Sequence, residues 1–163
     1  MIEVTNHVSV DCTWEAAWEL ISDFEGVWEP SNPDHRGTKV LDEPKQPIRN
    51  GLRFWQREKV GLLTGEFVAT VKDTNPGSSF SWYTTATYRL LGLPIKVVEG
   101  GTFEIIENDS GVTLQHSVWG ILPNRPLEWF ARVFLREEKA IADHNLTELH
   151  YFKARLEDTN NGT

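Results

Sequence analysis

A chain of 163 residues, 39% hydrophobic and 25% charged, has the ordinary make-up of one globular domain with a sizeable core. Sixteen Lys and Arg against 24 Asp and Glu give a net charge of −8, which argues against a nucleic-acid partner and against an anionic membrane surface. No apolar run approaches the ~20 residues of a membrane span, no signal-peptide pattern opens the chain, and the single cysteine, Cys12, has no partner for an intrachain disulfide, so a cytoplasmic protein without stable membrane insertion is expected.

Residues 2–10 alternate, with Val4, Val8 and Val10 on one face, and read as a half-buried strand. Asp11 or Thr13 caps a helix whose apolar side is Trp14, Ala17, Trp18 and Ile21. A second short helix is expected near Phe24–Trp28, stopped by Pro30 and Pro33. Strand-like runs follow, separated by turn residues. They are Thr38–Leu41, then Leu52–Val60 paired through Gly61 with Leu63–Lys72, then Phe80–Tyr88 after the turn Asn75-Pro76-Gly77. An apolar loop, Leu90–Ile95, leads to Val97–Glu107 and Val112–Leu122, a hairpin across Asn108–Gly111. The last segment, Asn124 to Glu157, reads as one long amphipathic helix. Asn124 is its N-cap and Pro126 lies in its first turn. Leu127, Phe130, Phe134, Ile141, Asn145, Leu149, Phe152 and Leu156 form a stripe close to a period of 3.6. The polar residues 158–163 give no reason to order, so a single domain over 1–157 with a disordered tail is expected. The class is α+β: a curved antiparallel sheet of six to seven strands around a C-terminal helix, with two short helices after the first strand.

That element order resembles the START-like, helix-grip superfamily, and within it the polyketide cyclase/dehydrase and lipid-transport branch. The similarity rests on Val8–Thr13 running into Ala17–Phe24, on Trp28-Glu29-Pro30, on Gly51 opening a strand, on Val71-Lys72-Asp73 ending one, and on Gly92–Ile95 preceding Gly100–Phe103. The resemblance implies a general-purpose pocket used by carriers, cyclases and chaperone cofactors alike, so function has to be argued from the site.

Period two selects the strand residues that face the helix. They predict an aromatic-walled pocket with Phe54, Trp82, Tyr88, Phe103 and Leu114 from the sheet and Phe134 from the helix. Gln56, Glu58, Thr84 and Glu99 are its polar strand groups, with Asn145 added from the helix. His116 points inward among Val and Leu, so a general base over a bound ligand competes with a core histidine bonded to a neighbour. Glu99 is its candidate catalytic companion, unless a bulge at Gly100-Gly101 turns it outward. Leu91, Leu93 and Pro94 form a candidate gate closing on Trp129 and Phe130. Five histidines at 7, 35, 116, 144 and 150 show no zinc spacing, so no metal and no cofactor is expected.

These residues support binding or carriage of a small hydrophobic molecule, ring-containing or lipid-like. A cyclase/aromatase-like enzyme using His116 and Glu99 for proton transfer is the alternative, and an interaction module of chaperone-cofactor type is a third.

Overall fold

The computed structural model describes residues 1–160. Strand β1, Ile2–Val10, leads into helix α1, Trp14–Ser22, whose first turn is capped by the Thr13 hydroxyl. A π turn, Phe24–Trp28, and helix α2, Glu29–Ser31, complete a small-helix corner. Six strands follow: β2 His35–Val40, β3 Arg53–Val60, β4 Leu63–Asn75, β5 Ser79–Leu90, β6 Leu93–Asn108 and β7 Gly111–Ile121. The strands form one antiparallel sheet in the order β1-β7-β6-β5-β4-β3-β2, so β2 to β7 are a meander and β1 closes onto β7. Helix α3, Arg125–Phe130, runs into a second π turn, Ala131–Leu135, and helix α4, Glu137–Asn160, packs against β1, β7 and β3. The α+β class, the single antiparallel sheet and the two short helices after β1 are as the sequence predicts.

Two boundaries differ. The C-terminal helix is not continuous: Arg136 sits in the left-handed region at φ 53 and divides α3 and its π turn from α4. A π turn carries an extra residue, so the face presented by residues 131–135 falls out of phase with the stripe. Phe130 and Phe134, the second 62% exposed, stack on one another at 5.3 Å outside the fold instead of pointing into it. The expected loop at 90–95 is a two-residue hairpin turn, Leu91-Gly92, both with positive φ, and β5 and β6 pair right up to it. Helix α4 runs on to Asn160, past the expected end at Glu157, and residues 161–163 of the expected tail lie outside the described ones. Among the described residues no helix is long and apolar enough to cross a membrane.

One end of the space between sheet and helix is filled by rings. Phe24 stacks on Phe54 at 4.6 Å and on Trp28 at 5.2 Å, and Phe103 meets Phe80 and Phe152 at 5.9 and 5.8 Å. The Trp28 indole N–H donates to the Ile21 carbonyl at 2.9 Å, so the largest ring of the corner is also satisfied as a donor. Phe24 touches three other rings with its own side chain almost fully buried. Phe24→Ala is expected to cost about 3–5 kcal/mol in urea unfolding, and a loss below about 1 kcal/mol would mean that the corner is not part of the cooperative core.

Candidate functional site

The other end of the same space is hollow. A cavity of ≈ 90 Å³ lies between β3, the first half of β4, β5, the first half of β6, the second half of β7 and the first three turns of α4. Its apolar wall includes Phe54, Leu63, Phe67, Trp82, Val97 and Trp119. Its polar wall includes Gln56, Glu58, Tyr88, Glu99, His116, His144, Asn145 and Glu148.

The polar wall is built from both sides of the fold. Asn32 in the small-helix corner donates its amide to the His144 carbonyl at 3.1 Å and so ties that corner to α4. His35 follows at the start of β2, with Nδ1 2.6 Å from the Trp28 carbonyl. A carbonyl only accepts, so Nδ1 carries the hydrogen and Nε2 faces the cluster. His144 Nε2 lies 3.1 Å from it. Glu148, one turn after His144 on α4, places Oε1 3.1 Å from His35 Nε2 and 3.2 Å from His144 Nε2, and Oε2 3.0 Å from His116 Nδ1. The last contact is an ion-pair distance whose N–H direction falls outside hydrogen-bonding range. His116 is held mainly by its ring, stacked 4.0 Å above Phe103 and edge-on to Trp28.

Charge is distributed unevenly over this wall. Burial works against the Glu148 anion, but the three imidazoles around it outweigh burial and hold its carboxyl well below the usual range. Burial likewise works against a charged His35, yet the bond and charge of Glu148, the charge of Glu58 and the Trp28 carbonyl push it up to about 9. His144 is raised against its own burial by Glu148 and Glu58.

On the sheet side, Tyr88 lies between two carboxylates, 2.8 Å from Glu58 Oε1 and 3.0 Å from Glu99 Oε1. The phenol has one hydrogen and cannot serve both. Burial and the charge of Glu58 raise Glu99 well above the carboxylate range, so a neutral Glu99 donates to the Tyr88 oxygen while Tyr88 donates to Glu58. Burial and the charge of Glu58 raise Tyr88 itself. Gly65, opposite Tyr88 across β4 and β5, makes the placement possible: a Cβ there would lie 2.3 Å from the tyrosine ring.

Of the residues selected from the sequence, Phe54, Gln56, Trp82, Tyr88, Glu99, His116 and Asn145 line the cavity, and Glu99 faces inward despite Gly100 and Gly101. Phe103 and Leu114 share that face but lie in the aromatic core below it, fully buried. Thr84 is buried and donates to the Val68 carbonyl at 2.8 Å, off the cavity. Phe134 is outside for the reason given above. The five gate residues do not line the cavity either: Leu91 is 94% exposed and Trp129 59%, while Leu93, Pro94 and Phe130 are also on the surface. The wall at that end is made by Leu122, Ala131, Glu137 and Ile141. His35, His144 and Glu148 are absent from the sequence-based set. His144 and Glu148 are spaced i,i+4 on the helix face that Asn145 already marks as inward, which was the available signal. Nothing in the sequence brings His35 to them.

No family model and no curated protein matches the chain. Solved structures do. A START superfamily protein from Mycobacterium smegmatis superposes at TM-score 0.66 with 16% identity, covering 98% of this chain and 99% of that one. The Zhui aromatase/cyclase from Streptomyces sp. R1128 gives 0.68 at 13% identity, covering 95% and 93%. The di-domain ARO/CYC StfQ from the steffimycin biosynthetic pathway gives 0.72 at 13%, covering 98% of this chain and 52% of that one. At these identities the fold is shared: the chain has the START-like helix-grip fold.

Glu137 opens α4 at the cavity with no partner for Oε1 among the described residues, and burial raises its carboxyl to about 7. A raised acid destabilises the fold once ionised, so its contribution is most favourable below its unfolded value near 4.5 and is lost as pH rises through about 7. Glu137→Gln is therefore expected to raise the melting temperature at pH 8 relative to wild type and to change it little at pH 4. Equal effects at both pH values would contradict a desolvated carboxylate.

Proposed function

We propose that this chain binds a small apolar molecule with a polar end inside the cavity, its body against the aromatic wall and its polar end on the His/Glu wall. The observation that carries this reading is a set of four buried polar atoms on cavity-lining residues. Trp82 Nε1, His116 Nε2, Glu137 Oε1 and Asn145 Nδ2 have no hydrogen-bond partner among the described residues. Each such group costs roughly 1–3 kcal/mol when left unmade, and a guest carrying a carbonyl or hydroxyl offsets part of that cost. The binding mechanism is desolvation of the apolar body plus a few directed contacts.

Size narrows the class. A cavity of about 150 Å³ admits benzene, and ≈ 90 Å³ is smaller. A compact, ring-sized guest therefore fits with modest movement of the wall, whereas a long lipid chain does not. We place that movement at the joint between α3 and α4, where Ala131, Glu137 and Ile141 flank the left-handed Arg136. This replaces the hairpin gate expected from Leu91, Leu93 and Pro94. An interaction module needs no internal space, and the cavity gives that reading no support.

A second reading, acid–base chemistry of the aromatase/cyclase kind named for two of the structural neighbours, is favoured by one observation. The polar groups are not scattered at a mouth but gathered, with His116 Nε2 unbonded on the same wall as the neutral Glu99. In that reading His116 takes a proton from an enolisable carbon while Glu99 or Tyr88 supports the oxygen.

An environment-sensitive apolar fluorophore is expected to bind the folded chain, and Ile141→Trp, which fills the cavity, to weaken it at least tenfold. Phe134→Trp, outside the cavity, is expected to leave affinity unchanged. The reverse pattern would put the binding site on the exposed aromatic cluster. For the enzymatic reading, a small 1,3-diketone should exchange its central hydrogens with D₂O faster in the presence of protein, by NMR. His116→Gln should reduce that rate roughly a hundredfold while binding persists. No acceleration by wild type would leave binding alone.

A further inference from the structure

His35, Glu58 and His144 point three donor atoms at one spot. His35 Nε2 and His144 Nε2 are 3.1 Å apart, and Glu58 Oε2 is 3.8 Å from the first and 3.9 Å from the second. A triangle with these sides has its centre about 2.1 Å from each corner, and zinc bound to imidazole nitrogen or carboxylate oxygen sits at roughly 2.0–2.2 Å. We propose that these three residues form a binding site for one divalent first-row transition-metal ion in the polar wall of the cavity.

One proton serves only part of this arrangement. His35 Nε2 has four polar neighbours: His144 Nε2, Gln56 Nε2 at 3.3 Å, Glu148 Oε1 and Glu58 Oε2. One hydrogen on Nε2 can be directed at one of them. An N–H on one ring facing a lone pair on the other joins the two imidazoles at 3.1 Å, but that single hydrogen does not reach Glu58 Oε2 as well. A cation at the centre receives both lone pairs and the carboxylate together.

The surroundings are those of ligands held in place. The Trp28 carbonyl takes the Nδ1 hydrogen of His35 and leaves Nε2 as the coordinating nitrogen. Gln56 donates to Glu58 Oε2 at 2.6 Å, and Tyr88 donates to Glu58 Oε1. Glu148 bridges the two imidazoles and adds negative charge beside the site. The side chains of the three ligands are 0%, 10% and 9% exposed. Two imidazoles and a carboxylate suit zinc, iron(II), cobalt or nickel. Calcium and magnesium want more oxygens, and copper(I) wants sulfur. Glu58 and His144 also line the cavity, so a remaining coordination position faces the guest, where a carbonyl or water oxygen would bind.

The site stands independently of which guest enters the cavity, so its failure would leave the binding reading intact. The test uses the full chain, stripped with a chelator and dialysed, then titrated with Co²⁺. The expected result is visible absorption bands that saturate at one equivalent, are quenched by Zn²⁺, and accompany a rise in melting temperature. His144→Gln and Glu58→Gln, each shown folded by circular dichroism, should weaken Co²⁺ binding at least tenfold. His150→Gln, on an exposed face of α4, should not. Absence of saturable bands in wild type at millimolar Co²⁺ would overturn the proposal. So would unit stoichiometry unaffected by both ligand variants.

Discussion

The structure turns on one buried carboxylate. Glu148 lies on the inward face of α4, 3% exposed, and meets imidazoles from β2, from β7 and from its own helix one turn earlier. The strands involved stand well apart in the sheet, with β7 next to the β1 edge and β2 at the opposite edge. A single anion therefore fixes both the rotation of the helix and its slide along the sheet. Such buried pairs add little net stability over an apolar replacement, but breaking one side leaves an uncompensated charge and costs roughly 3–5 kcal/mol. Its value is registry. The same carboxylate lines the space above the aromatic core.

That space and the core below it are made by the same strands. Along β6, Phe103 belongs to the ring stack and Glu99, four residues earlier on the same face, belongs to the cavity wall. On β3, Phe54 borders both, followed by Gln56 and Glu58. The aromatic end supplies the burial that stabilises the domain, and this lets the other end hold protonated and charged groups side by side. A neutral Glu99 and an ionised Glu148 coexist across one small cavity because their neighbours differ. Carboxylate and phenol surround the first, and imidazoles surround the second.

Much of this was legible in the sequence. Alternation along β3, β5, β6 and β7 placed Gln56, Tyr88, Glu99 and His116 inward correctly, because a strand's phase is fixed by period two. What alternation does not give is height along the strand, and so it groups Phe103 and Leu114 with the pocket residues although they fill the core beneath. The stripe of the C-terminal helix faces the fold from Ile141 onward and leaves it at Phe130 and Phe134. A π turn and a left-handed Arg136 shift the phase, and no local residue pattern announces either. The loop at 90–95 looked like an apolar gate because Leu91 and Leu93 are large. A leucine at φ 50 in a two-residue turn is not something propensity predicts. The histidine cluster is hidden from the sequence for a different reason. His35, His116 and His144 come from three elements, and only the tertiary fold makes them neighbours.

The central claim is that the hollow end of the fold receives a guest through its unpartnered polar atoms. A crystal structure of the chain soaked with a small phenol or cyclic ketone addresses it most directly. The account predicts density for the guest beside Trp82 and Phe67, with its oxygen in hydrogen-bond reach of His116 Nε2 or Asn145 Nδ2. A cavity filled by its own side chains, or a guest seated only on the exposed rings of Trp129, Phe130 and Phe134, would contradict it.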